Sequence, residues 1–297
     1  MPLDILVPFW GDPELLMKTL RSVQDQDADD WVLTVVDDAY PDESVGARVK
    51  ALADDRIRYV RNDVNLGITD NYRRCLQLAT QDRVTFLGCD DLLHPGYVRA
   101  VLAAHRAFPD VEVIQPGVEI VDENDALSHP LTDTVKRLLT PRANSPRVLG
   151  GEALAKSLLR GNWLYWPAMA FRRETLLGHD FLDGFPIIQD LALVLDIVFD
   201  GGRLLLLPDV VFSYRRHSAS ASSTTALDGS RFRGEEEYFK IAARKARALG
   251  WRGAERAARA HLTSRAYAIT LLPQVVRAGR KANARALLGH ALSPSRI

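Results

Sequence analysis

The chain has 297 residues, 47% of them hydrophobic, which is enough to bury a sizeable core and excludes a protein that is disordered throughout. Its two cysteines, Cys75 and Cys89, exclude a disulfide framework and fit a reducing compartment. The N-terminus lacks the features of a signal peptide, and no apolar run approaches the roughly 20 residues of a membrane span. We therefore expect a cytoplasmic protein.

The net charge of zero conceals a difference between the body of the chain and its C-terminal end. From Lys240 onward there are thirteen Lys or Arg residues and a single acid, Glu255, which leaves 25 basic and 37 acidic residues before that point. Such a basic tail is expected to dock on its own acidic body, on another subunit in a homo-oligomer, or on an anionic surface such as a membrane.

Apolar runs alternate with segments of helical periodicity over the first third of the chain. Asp12 is predicted to cap the first helix with Pro13 as its first residue, and Thr69 to cap the second. The predicted strands are LDILVPF, WVLTVVDD, IRYVRN and RVTFLGCDD, and the predicted helices are GDPELLMKTLRSV, TDNYRRCLQLAT and PGYVRAVLAAHRAF. This alternation predicts an α/β fold with a parallel, doubly wound sheet.

The second half is less regular. The segment GNWLYWPAMAFRRETL is predicted to be extended or looped, and LALVLDIVF to be a helix that ends at Gly201 and Gly202. A further apolar segment, RLLLLPDVVF, leads into a polar loop at 218–230, and helices are expected from about Glu235. We therefore divide the chain into a domain at 1–225 and a basic helical region at 226–297.

Sheets of this kind bind ligands beyond the carboxyl ends of their strands. Three predicted strand ends have notable residues, at 8–10, 37–38 and 90–91. We expect these three segments to border one crevice.

Six segments resemble, in order, those of glycosyltransferase family two, the inverting enzymes with a GT-A fold. They are ILVPFWGDPELLMKTLRSVQDQ, TVVDDAYPDES, NLGITDNYRRCL, FLGCDDLLHP, IIQDLALVLDIVFDGG and YRRHSASAS. The resemblance spans about residues 3–220 and implies a Rossmann-like, mostly parallel sheet flanked by helices. It also implies transfer of one sugar from a nucleoside diphosphate donor (UDP, dTDP or GDP) to a hydroxyl of a glycan, glycolipid or small natural-product acceptor.

The resemblance implies that Asp90 binds both the nucleotide and a cation, Mn²⁺ or Mg²⁺. A hard cation would stabilise the charge that builds on the departing diphosphate. His217 matches a second metal ligand of some members, and a surface histidine is the alternative. The family pattern often has an acid where this chain has Gly88. A plain turn, with Asp91 or His94 capping the next helix, is the structural alternative.

On the nucleoside side, Asp37 and Asp38 match the turn that contacts the base and ribose, where a carboxylate suits N–H and hydroxyl donors. Pro8, Phe9 and Trp10 are expected under the nucleotide. A simple turn at the two acids and a core position for Phe9 are the alternatives.

On the acceptor side, Asp190 is the predicted catalytic base, in a QD pair where the family has Glu-Asp, so that Gln189 replaces the Glu. A helix N-cap is the alternative role. Trp163, Tyr165 and Trp166 are predicted to form the acceptor floor, with a core position as the alternative. Arg215 and Arg216 are candidates for phosphate contacts, or else solvated loop residues.

Other classes fit the sequence less well. A sugar nucleotidyltransferase would need a Gly-rich basic loop after the first strand, and a dehydrogenase would need G-x-G-x-x-G there. A non-catalytic nucleotide-sugar or glycan-binding relative stays open because of Gly88 and Gln189. Nucleic-acid binding by the tail is not expected, whereas the resemblance favours peripheral contact of the tail with the inner face of the membrane.

Overall fold

The computed structural model describes residues 2–185, 187–216 and 230–292, so that His217, most of the predicted loop at 218–230 and the predicted domain boundary at 225–226 lie outside the described residues. The strands are β1 Leu3–Phe9, β2 Trp31–Asp37, β3 Ile57–Arg61, β4 Arg83–Phe86, β5 Leu92–Leu93, β6 Val113–Val121, β7 Arg147–Gly150, β8 Ala170–Arg172 and β9 Arg203–Arg215. The helices are α1 Pro13–Gln24, α2 Val45–Lys50, α3 Ile68–Leu78, α4 Tyr97–Ala107, α5 Leu131–Leu139, α6 Gly151–Arg160, α7 Arg173–Leu177, α8 Gln189–Phe199, α9 Ser230–Ala248, α10 Arg252–Ala260, α11 Leu262–Arg277 and α12 Lys281–Leu292.

These strands form one mixed sheet in the order β3-β2-β1-β4-β8-β6-β9-β5, with β7 paired to β9. The first four strands are parallel, and β8 runs antiparallel between β4 and β6. Because β6 and β9 are again parallel to each other, the carboxyl ends of β1, β2, β4, β6 and β9 lie at the same edge. We call this the carboxyl edge and the opposite one the amino edge. The predicted α/β fold with a mostly parallel sheet is confirmed.

The core has two layers, one on each face of the sheet, because side chains alternate along β1. Leu3, Ile5 and Val7 belong to the layer that includes α1 and α4. Leu6 belongs to the other layer, with α3, α6 and α8. The C-terminal helices α9 and α10 contribute Tyr238 and Ala254 to that second layer. The C-terminal region is thus helical, as predicted, and its first two helices pack on the body.

Two predicted helix starts have different outcomes. Asp12 caps α1, because its carboxylate accepts a hydrogen bond of 2.8 Å from the Glu14 N–H, and Pro13 is the first helical residue. The cap assigned to Thr69 is wrong, since α3 begins earlier, at Ile68. Its N-cap is Gly67, whose φ of 81° is a left-handed conformation that favours glycine.

The sequence analysis assigned no element between Phe108 and Gly161, where the structure has β6, α5, β7 and α6. The register of β6 against β9 shifts on both sides of Gly117, which interrupts the alternation that predicts a strand. The segment predicted as extended or looped at 161–176 includes a short 3₁₀ turn, β8 and most of α7. α8 ends at Phe199 and is followed by Gly201 with a φ of 94°, as its glycines predict.

Candidate active site

Asp37 is the last residue of β2, and its side chain is hydrogen-bonded to neighbouring groups of the protein. Its carboxylate accepts hydrogen bonds from the Tyr40 N–H at 2.7 Å, from Arg61 Nη1 at 2.8 Å and from the Tyr59 hydroxyl. Burial and the hydrogen bond to Asp37 raise the pKa of Tyr59 to about 12. Asp37 is fully buried, so its observed contacts are those of a residue that fixes the turn after β2.

Asp38 holds the loop that leads into α3. Its Oδ1 accepts from the Leu66 N–H at 2.8 Å and from Asn62 Nδ2 at 2.9 Å, and its Oδ2 accepts from the Gly67 N–H at 2.9 Å. The side chain is almost completely buried. Charge-assisted bonds of this kind are stronger than neutral ones, so Asp38 fixes the shape of the 62–67 loop at the carboxyl edge.

The three residues at the end of β1 differ in exposure. Phe9 is fully buried and packs on the Tyr40 ring at 5.1 Å, which is the core position that the sequence left as its alternative. Trp10 is 51% exposed, with its ring edge-on to Tyr40 at 5.5 Å. Pro8 is half-buried. Trp10 is therefore the aromatic side chain of this group that offers a surface to a ligand.

The neighbouring acids Asp90 and Asp91 occupy different environments. Asp91 is buried, and its Oδ1 accepts a hydrogen bond of 2.8 Å from the Arg215 N–H. Burial and the charge of Asp90 raise the pKa of the Asp91 carboxyl well above its usual range. Arg215 also donates from Nε to the Asp90 carbonyl at 2.7 Å, so the segment is anchored to the end of β9. Asp90 is partly exposed.

Gly88 is required where the family pattern often has an acid. A Cβ atom at this position would contact the Asp91 carboxylate and would lie 3.2 Å from Asp90 Oδ1. The Asp91 side chain thus fills the space that a side chain at 88 would need. The same segment touches the end of β1, since a Cβ on Gly11 would lie 3.1 Å from Cys89 Sγ.

Asp190 lies in the first turn of α8, whose N-cap is Ile188. Its Oδ1 accepts from the Leu191 N–H at 2.7 Å, and its Oδ2 accepts from Asn162 Nδ2 at 3.3 Å. Asp190 is partly exposed, as a group that meets substrate must be. The N-cap that was the alternative role of this residue belongs to Ile188.

The start of α3 brings these separate segments together. Its N-terminal loop is bound by Asp38, and Thr69 Oγ1 donates to Gln189 Oε1 at 3.0 Å, beside Asp190. Tyr72, one turn further, packs edge-on to the Phe86 ring at 5.3 Å at the end of β4. Burial is the main cause that raises the pKa of Tyr72, and the nearby Asp190 carboxylate adds to it. The loop of Asp38, the end of β4 and the start of α8 therefore all contact the first turns of α3.

The aromatic residues predicted to form the acceptor floor also differ in solvent exposure. Trp163 is completely buried and donates from Nε1 to Ser157, and Trp166 is buried and stacks on Phe86 at 5.4 Å. Both tryptophans therefore occupy the core position that the sequence left open. Tyr165 is partly exposed, and its hydroxyl donates to Asp133 at 3.0 Å.

A buried ion pair beside the site escaped the sequence analysis. Arg216 donates from Nε and Nη2 to both oxygens of Asp133, at 3.0 and 2.9 Å. Burial opposes ionisation, but these bonds and the Arg216 charge hold the pKa of Asp133 below its usual value. No local pattern signals this pair, because its residues are 83 positions apart. Arg215 and Arg216, predicted to contact phosphate, both bind protein groups here.

The described part of the chain holds no preformed metal centre. Residues 2–185, 187–216 and 230–292 contain no group of three or more His, Cys, Asp or Glu side chains arranged to hold an ion. His217 lies outside these ranges. A carboxylate such as Asp90 is nevertheless a hard donor of the type that Mg²⁺ and Mn²⁺ accept together with phosphate oxygens and water. The donor set therefore fits an ion that arrives with a diphosphate.

The chain belongs to glycosyltransferase family 2, because the model of the family described as "Glycosyl transferase family 2" matches residues 4–177, more than half of its length. The chain is 26% identical to the uncharacterized protein MT1568 of Mycobacterium tuberculosis (strain CDC 1551 / Oshkosh) over 238 residues, 76% of this chain and 70% of that protein. It is 31% identical to the putative colanic acid biosynthesis glycosyl transferase WcaA of Escherichia coli (strain K12), over 35% of this chain and only 37% of that relative.

Two solved structures have the same fold. TarS of S. aureus, residues 1–349, superposes with a TM-score of 0.67 at 13% identity and covers 98% of this chain and 81% of its own. The mannosyltransferase PcManGT of Pyrobaculum calidifontis, solved with GDP-Man and Mn²⁺, gives a TM-score of 0.61 at 18% identity, over 98% of this chain and 86% of its own. The fold is that of GT-A glycosyltransferases, and the protein is a glycosyltransferase. None of its described helices has the length and apolar character of a membrane span.

Proposed function

We propose that the protein moves a single sugar, with inversion, from a nucleoside diphosphate donor to a hydroxyl of a glycan, glycolipid or natural-product acceptor. The observation that supports this proposal is that the Asp38 loop, Gln189 beside Asp190, and Phe86 at the end of β4, four residues before Asp90, all contact the first turns of α3. Related folds solved with UDP-GlcNAc, UDP or GDP-Man support a nucleotide-sugar donor, which here is a UDP, dTDP or GDP sugar.

Asp190 is the proposed general base. An inverting transfer needs a group that takes the proton of the acceptor hydroxyl while the new bond forms. Asn162 donates to Oδ2 of Asp190, and the Leu191 N–H donates to Oδ1, so both oxygens of the carboxylate are oriented by the protein. Partial exposure lets an acceptor reach it.

The donor side would be formed by the loop that Asp38 holds and by Trp10. Asp38 fixes the 62–67 backbone, and the exposed Trp10 ring offers a face for the nucleotide. We propose that Pro8, Phe9 and Asp37 act indirectly, by holding the donor side in shape, since their observed contacts are with protein. Holding the donor in one orientation is itself a large part of catalysis.

Asp90, with His217 as a second candidate, would hold Mn²⁺ or Mg²⁺. When bound, the cation would neutralise the charge that develops on the leaving diphosphate. Asp91 is not part of this proposal, because the Arg215 N–H and burial fix it inside the protein.

A thermal-shift panel tests the assignment. UDP, dTDP and GDP sugars are compared with and without Mn²⁺, and we expect one nucleotide to stabilise the protein by about 3 kcal/mol at 100 times its dissociation constant. Asp90→Asn should remove the additional stabilisation that Mn²⁺ gives in the presence of the donor. Asp200→Asn, at an acid of the amino edge, should retain that stabilisation. If no donor stabilises the protein, or if the two variants respond alike, the donor site is wrong.

A non-catalytic binding relative is the second candidate, because Gln189 and Gly88 replace acids of the family pattern. Donor turnover separates the two functions. Release of nucleoside diphosphate in the presence of an acceptor mixture would establish the enzyme, and donor binding without release would establish the binding protein.

The division at 225 and 226 and the membrane contact of the basic tail also remain proposals. Lys245 of α9 donates a hydrogen bond to Asp196 of the body at 2.7 Å. At the N-terminus of α10, the Gly253 N–H donates to the Glu152 carboxylate. Part of the tail is thus engaged with the acidic body. A membrane contact of the tail would therefore fall on α11 and α12.

A further inference from the structure

The helix α5 exposes its apolar side chains. Leu131 is 71% exposed, Val135 is 40% exposed and Leu138 is 78% exposed. Their spacings of four and three residues place them on the same face of the helix. Leu127, four residues before the helix, is also exposed. The outer face of α5 is therefore a row of large apolar groups in contact with solvent.

Apart from Leu139, which packs on the core, the inner face of α5 is polar. Asp133 is buried and receives two hydrogen bonds from Arg216 and one from Tyr165. Lys136 donates to the Leu164 carbonyl at 2.7 Å and lies over the Tyr165 ring, 4.4 Å from its centre. A surface helix normally turns its apolar residues inward and its charges outward. α5 has the reverse orientation, which the paired charges on its inner face maintain.

On its C-terminal side the apolar row is followed by basic residues. Residues 126–150 contain four Lys or Arg residues and one acid, Asp133, which is neutralised by Arg216, whereas three acids, Asp122, Glu123 and Asp125, precede the row and Asp125 is paired with Lys18 and Arg215. Arg137, Arg142 and Arg147 are exposed. An apolar row beside exposed positive charges is complementary to the surface of an anionic bilayer, where acyl chains and negative headgroups lie within a few ångströms of each other.

We propose that α5 docks the protein on an anionic lipid bilayer, with Leu131, Val135 and Leu138 in the headgroup region and Arg137 and Arg142 on the headgroups. A second copy of the chain fits this face less well. A helix of nine residues is about 14 Å long and 10 Å wide, far below the roughly 800 Å² that each partner contributes to a stable interface. A two-fold dimer would also bring the same arginines together.

This surface lies close to the candidate active site. α5 follows β6, whose carboxyl end lies at the carboxyl edge, and Asp133 binds the residue directly after β9. A bilayer bound at α5 would therefore lie beside the crevice. The proposal does not depend on the transferase assignment, because it concerns binding alone.

Co-sedimentation with vesicles tests the proposal on the full chain. One set of vesicles is phosphatidylcholine alone, and the other is phosphatidylcholine mixed with phosphatidylglycerol. We expect binding to the mixed vesicles and a loss of more than about ten-fold in Leu131→Glu/Leu138→Glu, because two apolar anchors become charged. Leu177→Glu, at an exposed leucine of α7 on the amino edge, is the matched control and should bind like the wild type.

Charge is tested separately from apolar insertion. Arg137→Glu/Arg142→Glu should weaken binding to the mixed vesicles by at least about five-fold for each lost charge, and added salt should reduce the difference. Leu138→Trp should bind and show a blue shift of its fluorescence, which reports an apolar environment directly. Circular dichroism melts establish that each variant is folded, and the milder Leu131→Ser/Leu138→Ser replaces any glutamate variant that is not.

Four results would overturn the proposal. The wild type could fail to bind mixed vesicles, or the α5 variants could bind as tightly as the control. Loss of binding in Ile269→Glu/Val276→Glu of α11, with binding retained in the α5 variants, would place the contact on the tail instead. Light scattering that shows a wild-type dimer abolished by Leu131→Glu/Leu138→Glu, without vesicle binding, would assign the face to a second copy.

Discussion

The proposed donor side and the proposed acceptor side of the crevice are built differently. On the donor side, Asp37 and Asp38 are buried and accept hydrogen bonds from backbone and side chains of the neighbouring loop. On the acceptor side, Asp190 is partly exposed and is oriented by Asn162 and by the helix backbone. On the donor side the carboxylates hold the neighbouring loops in place, whereas on the acceptor side a carboxylate lies at the surface.

The difference in burial follows from the role proposed for each carboxylate. A group that fixes a loop is more effective when it is desolvated and fully hydrogen-bonded. A general base must instead reach the hydroxyl of a substrate, so it cannot be buried among protein donors. Substitutions on the donor side should therefore lower mainly the stability of the protein, and substitutions on the acceptor side should lower mainly its turnover.

Asp190→Asn should have the largest effect on activity. We expect turnover to fall by roughly 10² to 10⁴ while donor binding and the melting temperature are retained, because the amide preserves the shape but cannot accept the proton. Single-turnover rates and donor titrations measure the two quantities. Activity within a few-fold of the wild type would remove the catalytic assignment, and a large fall in melting temperature would show that Asp190 is structural.

Asp38→Asn should show the reverse pattern, with a loss of stability. The new amide would direct N–H groups at a site that now receives the Asn62, Leu66 and Gly67 donors, and we expect the free energy of unfolding to fall by about 3 kcal/mol. Urea denaturation measures this change. Asp42→Asn, at an exposed acid after the same strand, is the control and should change stability by less than about 0.5 kcal/mol.

Gly88→Ala tests whether the missing acid of the family pattern is excluded by packing. Its Cβ would meet the Asp91 carboxylate, so we expect a destabilisation of about 2 kcal/mol, typical of overpacking. Gly289→Ala is the matched substitution, because a Cβ at that helical position has no neighbour within 4 Å and should stabilise slightly. Equal melting temperatures for the two variants would contradict the packing argument.

The smallest expected effect is at the amino edge, away from both sides of the crevice. Burial and the charges of Arg83 and Arg172 lower the pKa of His105 from 6.5 to about 4. The unfolded chain therefore binds a proton near pH 6.5 that the folded protein binds only near pH 4, so stability is lost as the pH falls through this window.

We expect His105 to account for about 1 kcal/mol of that loss, less than the full pKa shift would give, because solvent screens the partly exposed ring. His105→Gln should keep an acceptor for Arg83 Nε, which donates to His105 Nδ1 at 2.6 Å, and remove the titration. Urea denaturation at pH 7 and at about pH 4.5 measures the difference. A variant that loses as much stability as the wild type between these values would exclude the role of His105.

The first third of the fold could be read from the sequence, because its signals are local. Strands β1 to β4 are apolar runs, α1 and α3 are amphipathic, and Asp12 with Pro13 marks the start of α1, whereas the short helix α2 and the short strand β5 were not predicted. The region from 109 to 160 could not be read in this way. The bulge at Gly117 breaks the strand pattern of β6, and α5 turns its apolar face outward, so its periodicity does not indicate what it packs against.

The candidate site shows the same limit. The family resemblance proposed Asp38, Asp90 and Asp190 as site residues, but it did not show that Asp91 is buried while Asp90 beside it is partly exposed. Nor did it place Trp163 and Trp166 in the core. Burial depends on side chains that arrive from distant segments, as Arg215 does for Asp91.

The main strands and helices of the first third were determined by the sequence itself, because backbone preference and apolar periodicity act between near neighbours, and the family follows from short segments in order along the chain. Only the tertiary structure decided which carboxylates are anchors and which meet solvent, and why position 88 holds a glycine. Those outcomes depend on contacts between residues as far apart as Asp91 and Arg215, 124 positions along the chain, where no local pattern reports the partner.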